Sequence, residues 1–166
     1  FVIRIDANQG YTQAQTIEFY KKTKHLDVEL IEQPLPARDI AELKKLPDEI
    51  KAIIAADESL LTAKDALELV KPPRAAGIFN IKLMKCGGIH QALKIADIGL
   101  QEGIDLFWGC NDESIISITA ALHAAFACSN PKYIDLDGSL DLARDVVKGG
   151  FVLQDGMMSC AEKPGL

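Results

Sequence analysis

Four charged residues close four short apolar runs at almost constant intervals. "FVIRID", "VELIE", "IIAAD" and "FNIK" end on Asp6, Glu32, Asp57 and Lys82, so the separations are 26, 25 and 25 residues. The runs are rich in Val and Ile and continuous rather than alternating, the pattern of parallel strands covered on both faces. Helix-like stretches lie between them: Thr12 to Lys24, Asp39 to Lys45, and Ala63 to Lys71 with Thr62 as N-cap. "GIFNIK" is followed by Ile89 to Gln101, "IDLFWGC" by roughly Asp112 to Cys128, and "KYIDLDG" by a weaker helical piece near Leu140.

Strand and helix alternating at this period predict an α/β fold, a partial TIM-type (β/α) barrel of about six βα units. A doubly wound sheet needs a Gly-rich phosphate turn after a strand, and "KCGGI" does not fit that pattern. A complete barrel takes about 250 residues, so about two units are expected upstream of Phe1.

The remaining bulk properties narrow the chemistry. A net charge of -6 gives no electrostatic footprint for nucleic acid or for an anionic membrane surface. No apolar run reaches the roughly 20 residues of a membrane span. Cys86, Cys110, Cys128 and Cys160 form no CxxC pair, so they read as reduced thiols of a cytoplasmic protein. Small-molecule chemistry stays open.

In a barrel the C-terminal strand ends face one mouth. Pro34 cannot donate to a ladder, so Glu32 in "VELIEQPLP" stands at such an end. A rim glutamate paired with Lys or Arg satisfies that position equally well. Asp6, Glu32 and Asp57 together are another matter, because three converging carboxylates need a cation to stay ionised. An oxygen-only donor set favours Mg²⁺. Lys82 shares the register of the acids, where a snorkelling lysine is the alternative to a general base. Lys85, past the strand end, reads as structural or as part of the rim. Gly87 and Gly88 read as a sharp turn. Asp135 and Asp137, i and i+2 in "IDLDG", point to one face, either as an acidic turn or as a receptor for an ammonium group.

"IDANQGY", "LIEQPLP", "IAADES" and "NIKLMKCGGI" together resemble the enolase superfamily, in its muconate cycloisomerase-like subgroup, and most of all its dipeptide epimerases. The resemblance covers essentially the whole chain. It implies that Asp6, Glu32 and Asp57 bind Mg²⁺ and that Lys82 is catalytic. The implied activity is that of an isomerase, a 1,1-proton transfer at the carbon alpha to a metal-bound carboxylate. Asp135 and Asp137 would hold the α-ammonium of a dipeptide. Asn8 would orient the metal shell, and Glu113 and Ser114 would line the pocket, although capping by Asn111 or Asp112 explains "NDES" as well.

The family's second catalytic lysine, in a Lys-x-Lys motif, is not in this sequence. Residues 1–166 are therefore expected to be the C-terminal portion of the barrel domain, without the N-terminal capping domain or first strands, and inactive alone. A muconate or chloromuconate cycloisomerase, or an o-succinylbenzoate synthase-like lyase, is the enzymatic alternative. A silent partial barrel keeping only the metal site is the other. Expected partners are a small-molecule substrate and further copies in a homo-oligomer, with no nucleic acid and no membrane.

Overall fold

The computed structural model describes residues 1–162. Six parallel strands lie side by side in chain order: β1 (Ile3–Asp6), β2 (Val28–Glu32), β3 (Ile54–Ala56), β4 (Ile78–Ile81), β5 (Asp105–Trp108) and β6 (Pro131–Ile134). Helices cover the crossovers: α1 (Gln13–Thr23), the short pair α2 (Ile40–Lys44) and α3 (Asp48–Lys51), α4 (Ala63–Val70), α5 (Leu83–Cys86), α6 (Ile89–Gln101) and α7 (Ile115–Phe126). The sheet curls into a half-barrel, a partial TIM-type α/β barrel.

Alternation along the strands divides the core. Leu30, Ala55, Ile78, Phe107 and Tyr133, one from each of β2 to β6, form one cluster on the inner face. Their strand neighbours, such as Ile31, Phe79 and Leu106, join the larger cluster shared with Leu69, Ile95 and Ile118 of the helices. The curl is visible in one contact: the Arg4 guanidinium of β1 lies 5.1 Å from the centre of the Tyr133 ring of β6. The sheet's first and last strands thus meet across the interior.

The helix starts follow their sequences. Thr12 and Thr62 each accept from the third helical residue, whose side chain returns the bond, a reciprocal cap at α1 and α4. Gly87 and Gly88, at φ 86° and 106°, make the turn between α5 and α6. Ser114 caps α7 through Ile116 N–H, rather than Asn111 or Asp112.

The expected helix near Leu140 does not form; that stretch is turns and bends. It is followed by an unforeseen antiparallel hairpin, β7 (Phe151–Gln154) and β8 (Met157–Cys160). Asp155 and Gly156, at φ 51° and 75°, make its two-residue turn. An Asp-Gly pair favours such a turn, so the signal was present in "LQDGMM".

Candidate active site at the strand-end mouth

Asp6 and Glu32 are register partners on β1 and β2, so their carboxylates leave the sheet at one level. Asp57 follows β3 by one residue and Lys82 follows β4 by one. The Lys82 ammonium joins the acids: its Nζ lies 2.9 Å from Asp57 Oδ2 and 3.7 Å from Glu32 Oε1. The recurring interval in the sequence therefore corresponds to a spatial cluster.

Each acid has a dedicated support. Asn8 donates to Asp6 through its backbone at 2.8 Å and through its amide at 3.2 Å. Asn80, facing inward on β4, donates to Glu32 Oε1 at 2.6 Å. Gln33 is fully buried at φ 29°. Its Oε1 accepts from Asp57 N–H, Ser59 N–H and the Ser59 hydroxyl, at 3.0, 3.1 and 2.9 Å. Gln33 thereby ties the loop that carries Asp57 to the end of β2.

Of the two readings of Lys85, structural or rim, the contacts fit the structural one. One helical turn after Lys82, it is mostly but not fully buried and contacts Asp57 Oδ1, Asp57 O and Asn80 O. Its register lies outside the strand pattern, and its reach depends on the short helix α5. Sequence periodicity therefore had no means of placing it.

The electrostatics follow from burial. Burial pushes the Glu32 carboxyl up, the Asp6 charge pushes the same way, and Lys82 and Asn80 oppose them. Burial pulls the Lys85 ammonium down to about 8, against the pull of Glu32. The mouth is thus a set of hard oxygen donors with two ammonium groups resting on it. That chemistry fits a divalent cation. Among the described residues no three acidic, His or Cys side chains stand close enough together to chelate one ion as they lie. Lys82 occupies the space between Glu32 and Asp57.

Asp135 and Asp137 lie just beyond β6, with buried Leu136 between them. Burial raises the Asp135 carboxyl, and Asp137 beside it adds to the rise, while the Lys82 charge lowers it. Asp135 thus lies within electrostatic reach of Lys82. Gly138 is obligatory here, since a Cβ would collide with the Asn111 carbonyl. Glu113 is buried and engaged by Asn111 N–H at 2.9 Å and by the Ser117 hydroxyl, which makes it a brace for the loop after β5. The four cysteines are free thiols. Among the described residues no helix is long and apolar enough to cross a membrane.

This arrangement has known relatives. The family described as enolase C-terminal domain-like matches residues 2–166. An L-Lys-D/L-Arg epimerase of Methylococcus capsulatus is 55% identical over 165 residues, covering 99% of this chain and 46% of that protein. An L-Ala-D/L-Glu epimerase of Bacillus subtilis is 39% identical over 166 residues, covering 99% of this chain and 45% of that one. A solved dipeptide epimerase from Methylococcus capsulatus, complexed with Mg and the dipeptide L-Arg-D-Lys, superposes with a TM-score of 0.95. It is 55% identical and covers 99% of this chain and 46% of its own. The chain spans about half the length of the curated relatives it matches. It belongs to the enolase C-terminal domain-like family.

Proposed function

We propose that this chain is the C-terminal barrel portion of a Mg²⁺-dependent dipeptide epimerase. The observation that carries the reading is the Lys82 ammonium lodged between Asp57 and Glu32, at 2.9 and 3.7 Å, at the strand-end mouth. Asp6, Glu32 and Asp57 are the residues that would hold Mg²⁺. Bound there, the ion would supply positive charge that makes the α-proton of a neighbouring carboxylate more acidic. Lys82 withdraws from the acids and carries the proton at one face of the substrate α-carbon. Asp135 and Asp137 receive the dipeptide's α-ammonium. Asn8, Gln33 and Asn80 keep the acids oriented.

The second base, the N-terminal capping domain and the first barrel strands belong to sequence outside this chain. The coverage of 46% of the relatives supports that division. Relatives named for Lys and Arg dipeptides, at 54% and 55% identity, point to a dipeptide with basic side chains. The reduced thiols suit the cytoplasm.

The test is α-proton exchange in D₂O by the intact protein with Mg²⁺, across a dipeptide library. Exchange and epimerisation of a basic dipeptide, lost on chelation, are expected. Turnover of a muconate or succinylbenzoate-type acid with every dipeptide inert would contradict the reading.

A further inference from the structure

Two lysines one helical turn apart converge on one carboxylate, and they bind it differently. Lys82 donates to Asp57 Oδ2 at 2.9 Å, its one hydrogen bond. Lys85 contacts Asp57 Oδ1 and donates to two backbone carbonyls, Asp57 O at 2.9 Å and Asn80 O at 3.2 Å. An ammonium carries three donors, so Lys85 is fully satisfied and Lys82 is not. Burial does not explain the contrast, since their side chains are 12% and 13% exposed. Lys85 is pinned. Lys82 is able to leave.

We propose that Lys85 is a positioning residue of the metal site: it fixes Asp57 by Oδ1 and presents Oδ2 to the ion once Lys82 turns to the substrate. This rests on the dipeptide epimerase reading. The two carbonyls that Lys85 bridges stand just past β3 and within β4, so the same side chain adds a tie between the two paired strands whose ends carry Asp57 and Lys82. Gln33 holds the Asp57 backbone N–H from the other side at 3.0 Å. Asp57 therefore loses little side-chain freedom on binding an ion, which is the benefit of a pre-organised ligand.

The two effects of Lys85 on a cation have opposite signs. As a nearby positive charge it repels Mg²⁺, so removing it would tighten binding. As an anchor it orders Asp57, so removing it would weaken binding. The proposal commits to the second.

The test is Mg²⁺ titration by calorimetry on the intact protein, with the near-ultraviolet signal of buried Trp108 reporting the fold. Lys85→Met should weaken Mg²⁺ about 10–100-fold, while kcat at saturating Mg²⁺ falls much less because Lys82 is untouched. Lys85→Arg, which keeps charge and donors, should recover most of the affinity. If Lys85→Met does not fold, Lys85→Gln, which retains a donor for one carbonyl, must show the same direction of loss. Mg²⁺ affinity unchanged or tighter in the folded neutral variant overturns the positioning role. Asp57→Asn separates the two claims. If it leaves Mg²⁺ binding intact, the metal reading itself fails and Lys85 falls with it. If it abolishes binding while Lys85→Met does not weaken it, the Lys85 proposal alone fails.

Discussion

Asn80 Nδ2 lies 2.6 Å from Glu32 Oε1, so an inward-facing amide of β4 holds the acid at the end of β2. The two residues are neither sequence neighbours nor on adjacent strands, since β3 runs between them. The bond crosses the inside of the curl. The half-barrel geometry, rather than any local motif, brings the amide to the acid.

Asn80→Leu should leave Glu32 buried without its partner. A loss of about 10–100-fold in Mg²⁺ affinity is expected, measured by calorimetry on the intact protein. Gly109 bears on the same contact, because a Cβ there would strike the Asn80 amide. Gly109→Ala should therefore copy part of the Asn80 defect, and wild-type affinity in that variant would show that Glu32 does not depend on the amide.

The Asp135–Asp137 pair should show opposed effects on stability and binding. Burial and Asp137 raise the folded Asp135 carboxyl, so its ionised form costs the fold stability above that raised value. Asp135→Asn should raise Tm at neutral pH, with the gain fading as pH falls through the raised folded value and gone below the ordinary Asp value of about 3.9. Dipeptide KM should rise in the same variant. A lowered Tm at pH 7 with unchanged KM would remove the pair from the site.

Asp145 gives the converse titration. Its carboxylate accepts from Ile115 N–H at 2.6 Å and from the Ser114 hydroxyl at 2.7 Å. These bonds, that of Ile115 foremost, hold it below the usual range. A depressed carboxyl stabilises the fold above its unfolded pKa, and that contribution is lost as pH falls through the folded one. The Tm difference between wild type and Asp145→Asn should be full at neutral pH and should shrink below about pH 4. Melting curves across pH 3 to 7 would show it, and a difference independent of pH would contradict the assignment.

Gly138 links stability to the same mouth. Its absent Cβ makes room for the Asn111 carbonyl, and its N–H points at Cys110 Sγ, 3.3 Å away. A backbone neighbour cannot rotate aside as a side chain can. Gly138→Ala should cost about 1–3 kcal/mol in denaturant unfolding and displace Asp137 next to it.

What the sequence made legible was whatever has a period. Asp6 and Glu32 end strands as expected, because continuous β-branched runs reach them and stop, at Pro34 in the case of β2. The Thr12 and Thr62 caps are local chemistry, and Thr62 was readable directly. Gln33, Asn80 and Lys85 were not, since each acts through a contact set by how adjacent strands and loops stack. Asn80 reads as one polar residue in a buried run until the curl brings Glu32 to it. Lys85 reads as structural or as rim until α5 turns it back on Asp57. The hairpin was missed for a different reason: the βα rhythm stops at the piece near Leu140 and has no period to offer beyond it, so only the local Asp155–Gly156 turn signal marked the strands at Phe151–Gln154 and Met157–Cys160.

The central claim is that Lys82 is a base working on one face of a substrate held at this mouth. Lys82→Ala in the intact protein, followed by NMR in D₂O with Mg²⁺ and each epimer of a turned-over dipeptide, tests it most directly. Loss of a general base costs about 10²–10⁴ in rate. Epimerisation should therefore disappear while one epimer alone continues to exchange its α-proton, through the base on the other face. Interconversion of both epimers at near the wild-type rate would make Lys82 a bystander and contradict the account.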